Sequence, residues 1–214
     1  MSDPSLLFEP GCYYHVYNRG NNWERLFYGE DHYLYFLKKY DSFLSGFTDL
    51  FAYCLLPNHF HVLIRRKAET EILENAARLK LPSFQKMEAL GSLEAGRIVS
   101  DQFRQFFITY SMAINKQQSR AGSLFQKKFK RIKVDSDQYF TQLIFYIHNN
   151  PVHHQIHAPL QDYKWSSYQR FLLDKPSKLS KKEVLEWFGG KKAFVEFHQR
   201  DWNPENIKDL WLKE

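Results

Sequence analysis

A chain of 214 residues, 43% hydrophobic and 17% aromatic, carries material for one substantial core and lies far from the compositions of disordered or low-complexity chains. Its formal net charge of +6 is compatible with a polyanionic partner without requiring one. No stretch approaches the ~20 apolar residues of a membrane span, and the N-terminal segment lacks a basic region followed by an apolar one, so the expectation is a cytoplasmic protein with no membrane partner.

Residues 12–18 alternate well enough for a first strand, closed by the turn cluster Arg19-Gly20-Asn21-Asn22. Apolar and aromatic residues at Tyr33, Phe36, Leu37, Tyr40 and Leu44 predict a helix over 31–44 that Gly46 ends. Residues 50–56 read as a second strand running into Pro57-Asn58, and 59–64 as a third, so the two form a hairpin. A helix follows over 70–80, then a loop or irregular insertion over 81–96 marked by Pro82, Gly91 and Gly96. Ser100 is the expected N-cap of a helix to about Gln118, with Phe103, Phe106, Phe107, Tyr110 and Ile114 as its core stripe. The basic segment 124–134 predicts a strand whose Phe125 and Phe129 alternate with lysines. That pattern suits either a phosphate-tracking strand with stacking aromatics or a lysine-protected sheet edge.

Asp135 and Gln138 have capping-box spacing at the start of a helix that should stop before Pro151. Ser180 and Glu183 repeat that spacing before a helix stopped by Gly189-Gly190, and one or two short helices with Trp202 and Trp211 close the chain. Cys12 and Cys54 lie in apolar segments without Cys-x-x-Cys spacing and read as buried free thiols. The order strand, helix, strand, strand, helix, strand, helix is an α+β plan: a ferredoxin-like βαββαβ antiparallel sheet with one added helix.

On a strand, His59 and His61 point to the same face and Phe60 to the other, and two neighbouring imidazoles suit a divalent metal. In this plan the histidine strand is central and the last helix lies over it. Tyr146 and Asn150, four apart, share one face of that helix. The Asn150 amide oxygen would be a third ligand, and the phenol would stand near a metal-bound phosphate, placed for attack on phosphorus. Tyr110, followed by Ile114, reads as core, and Tyr139 could neighbour Tyr146. The cluster His148, His153, His154 and His157 lacks an acidic residue spaced as a general base, which speaks against a zinc hydrolase.

Three segments carry a family resemblance: Leu56-Pro57-Asn58-His59-Phe60-His61-Val62, Gly122-Ser123-Leu124-Phe125-Gln126, and Tyr146-Ile147-His148-Asn149-Asn150-Pro151-Val152. With Trp165-Ser166-Ser167-Tyr168, they make the chain resemble the REP-associated tyrosine transposases, within the HUH-motif transposases of single-stranded DNA, over roughly residues 11–170. The resemblance implies His59 and His61 as ligands of Mg²⁺ or Mn²⁺ and Tyr146 as the nucleophile forming a 5′-phosphotyrosine. Insertion-sequence relatives carry Gln where Asn150 stands, and the REP-associated branch carries Asn. Arg65, Arg66, Lys67, Lys127, Lys128, Lys130, Arg131 and Lys133 would contact phosphates of single-stranded or hairpin DNA. A catalytic domain over 1–170 would then carry a helical extension over 171–214. The family contains monomers and dimers, so a homodimer stays open. The alternative is a non-catalytic binder of structured single-stranded nucleic acid.

Overall fold

The computed structural model describes residues 7–89, 95–134 and 136–200. Strands β1 (Tyr13–Arg19), β2 (Thr48–Leu56), β3 (His59–Arg66) and β4 (Lys130–Val134) form a four-stranded antiparallel sheet in the order β2-β3-β1-β4. This is the expected ferredoxin-like arrangement, with β2 and β3 joined at Pro57-Asn58 and β3 central. Helices α1 (Glu30–Leu44) and α4 (Ala95–Gln117) pack together, and their rings meet the sheet face that carries Phe60. Helix α5 (Asp137–His153) lies across β2 and β3 on the opposite face. Covered on both sides, β2 and β3 are buried along nearly their whole length, which is why they read as almost continuous apolar runs.

Phe36 sits at the middle of the first layer, fully buried, with ring centroids 4.8 Å from Phe106, 5.1 Å from Phe60, 5.2 Å from Tyr110 and 5.3 Å from Phe27. Phe36→Ala is expected to destabilise the fold by about 3–5 kcal/mol, because lost transfer energy and a residual cavity add. A denaturant midpoint within error of wild type would show that the aromatic cluster does not hold the layer.

Several boundaries differ from the sequence expectation. Between α2 (Glu69–Arg78) and α4, a further helix α3 (Pro82–Ala89) replaces part of the expected loop. Pro82 opens it, where a missing N–H costs nothing. Helix α4 begins at Ala95, so Ser100 lies inside it and donates its hydroxyl to the Gly96 carbonyl at 3.0 Å. Gly96 serves contact here and breaks nothing: a Cβ would stand 2.7 Å from the Phe8 carbonyl oxygen. Strand β4 is shorter than expected because Phe125 is buried against Phe107 and Tyr110, and Phe129 packs on Phe103 and Phe107. Phe125 is therefore committed to the α4 core, and the partly buried Phe129 packs at its edge.

Ser136 caps α5, its hydroxyl accepting from the Tyr139 N–H, and Asp135 lies outside the described residues. The helix runs through Pro151 to His153. Pro151 deletes only the bond its own N–H would have made, and His154 N–H continues the pattern to the Asn150 carbonyl at 2.9 Å. Beyond α6 (Tyr168–Leu172), α7 (Lys181–Trp187) and α8 (Lys191–Phe197) pack on α5 through Phe140–Trp187, Phe145–Phe197 and His148–Phe194. Ser180 makes no side-chain cap, and Glu183 does not reach back to the Ser180 N–H: its carboxylate accepts from Tyr13 and Arg65, while the Ser180 N–H donates to the Leu50 carbonyl at 2.9 Å. Residues 201–214, with Trp202 and Trp211, lie outside the described residues. Cys54 is buried as expected, whereas Cys12 is only partly covered, and both are free thiols. No described helix is long and apolar enough to cross a membrane.

Candidate metal and nucleophile site

The antiparallel register sets β1 beside the histidines: Arg19 lies opposite His59 and Tyr17 opposite His61, so His15, Tyr17 and Arg19 share the histidine face. His59 Nδ1–H donates to the Asn58 amide oxygen at 2.7 Å, which fixes its proton on Nδ1 and leaves Nε2 a lone-pair donor. His61 Nδ1 is 2.9 Å from His15 Nε2. When His61 donates in that bond, its Nε2 lone pair likewise faces the site, and His15 becomes the group that sets the tautomer. The Asn150 amide nitrogen donates to the Tyr146 carbonyl at 2.8 Å.

What remains is informative. His59 Nε2, His61 Nε2 and Asn150 Oδ1 are buried with no hydrogen-bond partner among the described residues. Leaving buried polar atoms unmatched costs about 1–3 kcal/mol each, so a site that keeps three on the residues singled out for metal binding needs a reason. A divalent cation taking two imidazole nitrogens and one amide oxygen satisfies all of them. Among the described residues no group of three or more His, Cys, Asp or Glu is arranged to hold a metal.

Electrostatics agree with the donor set. Burial, helped by the nearby His154 and Arg19, pushes the His59 pKa down to about 3. Burial and then His15, His59 and His154 hold His61 well below the ordinary imidazole value, and burial alone lowers His15 to about 3. All three rings are thus neutral at pH 7, the form that binds metals.

Helix α5 brings Tyr146 over these rings. Its centroid lies 5.6 Å from His61 and 6.1 Å from His15, edge-on to both, and the residue is 6% exposed. Tyr110, by contrast, is core: it is buried and donates to the Leu26 carbonyl at 2.8 Å. His148 is engaged on both ring nitrogens, with His198 at 2.9 Å and Ser167 at 2.8 Å. His153 and His157 do not join it in a site, while His154 stacks edge-on to His59 at 4.7 Å. His15 and His154 are neighbours that sequence reasoning missed. Period-two alternation puts His15 on one face of β1, but only the strand register says which residues it meets.

The basic residues divide. Arg65 is held by Asp49 and Glu183, Arg66 is buried near Glu69, Lys67 pairs with Glu71, and Lys133 pairs with Glu9. Arg131 is buried, donates to the Ser100 hydroxyl and lies over Phe8 and Phe129. Arg65, Arg66 and Arg131 are engaged within the fold, whereas the Lys67–Glu71 and Lys133–Glu9 pairs lie at the surface. Lys127 and Lys128 are exposed, and Lys130 is half-buried with its ammonium 5.8 Å from the Tyr17 ring centroid.

Fold and site together define an α+β protein of ferredoxin-like plan, whose central strand offers two neutral imidazoles beneath a helix carrying a tyrosine and a carboxamide. No family model and no curated protein matches the sequence. Among solved structures, the chain is similar in fold to the REP-associated tyrosine transposase bound to a REP hairpin, with a TM-score of 0.53 and 15% identity over 78% of this chain and 82% of that one.

Proposed function

We propose that this chain cuts and rejoins single-stranded DNA at hairpin-forming repeats, with Tyr146 as nucleophile and His59, His61 and Asn150 as the ligands of Mg²⁺ or Mn²⁺. The observation that carries the reading is that His59 Nε2, His61 Nε2 and Asn150 Oδ1 are buried without a hydrogen-bond partner among the described residues, with the Tyr146 ring edge-on to His61, on a fold like that of a transposase bound to a REP hairpin. The bound cation would polarise the scissile phosphate and offset charge in the transition state. Tyr146 Oη forms the bond to phosphorus as the bond to the 3′ oxygen breaks, the phenol proton leaves to solvent, and the released 3′ oxygen takes up a proton. The product is a 5′-phosphotyrosine that a 3′-hydroxyl reopens by the reverse step. His15 holds the His61 ring in the ligand tautomer, and Lys127, Lys128 and Lys130 supply phosphate contacts.

Mn²⁺ binding by titration calorimetry and cleavage of a labelled hairpin oligonucleotide test this reading together. His61→Ala should lower Mn²⁺ affinity by at least about tenfold and abolish cleavage, while hairpin binding in EDTA persists. Unchanged Mn²⁺ affinity in that variant would remove the metal site. Wild-type protein that binds the hairpin and never cuts it would favour a non-catalytic binder of structured single strands.

A further inference from the structure

We propose that Trp23 is the stacking platform for a nucleobase next to the phosphate held at His59, an inference that deepens the strand-transfer reading and rests on it. Trp23 is 55% exposed, an unusual position for a large apolar ring, and its backbone φ is +62°, directly after Asn22 at φ +52°. Successive left-handed non-glycine residues are strained, and a bulky one is a genuine outlier that the surrounding structure must enforce.

The enforcement is visible. Gly20 N–H donates to the Asn58 carbonyl at 2.7 Å, Asn21 N–H to the Leu124 carbonyl at 2.8 Å, and Leu26 and Phe27 N–H both to the Pro57 carbonyl at 2.8 and 3.1 Å. The turn starts at a residue that must be glycine, since a Cβ at position 20 would stand 2.0 Å from the Glu24 carbonyl oxygen. Residues 20–27 are therefore stitched to the hairpin turn that ends in His59. The Arg19 guanidinium lies 3.8 Å from the Trp23 ring centroid and covers one side of the indole. Oriented with its oxygen toward that guanidinium, the Gln126 amide accepts from Arg19 Nε and Nη2 at 2.7 and 3.2 Å. The indole is thus held in place and still largely open to solvent.

Beside it runs a cleft of about 360 Å³ lined by Trp23, Arg25, Pro57, Asn58, His59, His154 and Ile156. Ile156, 39% exposed, gives a second apolar wall, Arg25 is exposed at the rim, and no carboxylate lines the cleft. An aromatic face flanked by guanidinium groups and opening onto His59 matches one chemistry: a planar base joined to a phosphate. Stacking on indole tolerates any base, so the platform would position the strand without reading its sequence.

The test measures hairpin oligonucleotides with single-stranded flanks by fluorescence anisotropy in EDTA, with single abasic sites scanned along the flanks. Trp23→Ala should weaken binding about tenfold or more, and Trp23→Phe should restore most of the loss. In wild type, one abasic position should weaken binding by a similar factor, and that penalty should vanish in Trp23→Ala. Affinity of Trp23→Ala within twofold of wild type, or abasic penalties that survive the substitution, would overturn the platform. The covalent adduct of wild-type protein is scored separately. Trp23-dependent binding without any adduct would sink strand transfer and leave the platform standing, whereas an adduct with Trp23-independent binding would do the reverse.

Discussion

Tyr146→Phe abolishes the covalent protein–DNA adduct on a denaturing gel and leaves hairpin affinity in EDTA unchanged: this is the largest effect the geometry leads us to expect. The substitution removes one oxygen from a buried ring whose edge-on contacts with His61 and His15 do not need it. The fold should lose no more than about 1.5 kcal/mol, the value of an ordinary hydrogen bond. Activity should fall to background, because Tyr146 is the group assigned to form the bond to phosphorus. Tyr139→Phe serves as the control, seven residues earlier on the same helix and expected to keep the adduct. An undiminished band from Tyr146→Phe would end the assignment.

Acid should unfold this protein early. His15 and His59 have pKa values lowered to about 3 by burial, His198 is lowered to about 4 by burial, and His61 and His148 are held well below the ordinary range. An unfolded chain protonates its imidazoles near pH 6.5, while the folded one resists until about pH 3–4, so stability is fully present above pH 6.5 and lost as pH falls through that window. Each such group costs about 1.4 kcal/mol per pH unit there, and a few of them rival the whole stability of a small domain. Two imidazole pairs soften the first step, His15 with His61 and His148 with His198, because an imidazolium still donates to its neutral neighbour. The urea midpoint should therefore drop steeply between pH 7 and 5. Mn²⁺ should raise it at pH 7.5 and lose that effect at pH 5, where its ligands prefer protons. A midpoint flat from pH 7.5 to 5 would show that these rings are not buried neutral.

The expectations that held share a short range. The hairpin at Pro57-Asn58, the common face of His59 and His61, the i, i+4 pairing of Tyr146 with Asn150 and the core stripe of α4 all follow from periods of 2 and 3.6 and from turn chemistry. Those that failed were local signals read without their neighbours. Ser100 resembled a helix N-cap and Gly96 a loop breaker, whereas α4 begins earlier, at Ala95, with Gly96 against Phe8. Pro151 looked like a stop, although the last turn of α5 survives the loss of one bond. Phe125, placed among lysines, read as a stacking ring or as part of a lysine-protected edge strand, and lies in the core under α4.

By itself the sequence determined the ferredoxin-like order of elements and the side chains from which a site could be built, because hydrophobic period, capping residues and spacing along one element are written in consecutive residues. Only the tertiary structure decided which of them meet. The β1–β3 register placed His15 against His61 and Arg19 beside His59, the carboxylates of Asp49 and Glu183 took up Arg65, and the turn after Gly20 held Trp23 open beside the histidines. Contacts between residues far apart in the chain depend on register, burial and the choice of ion-pair partner. Those are properties of the folded whole, and no local pattern encodes them.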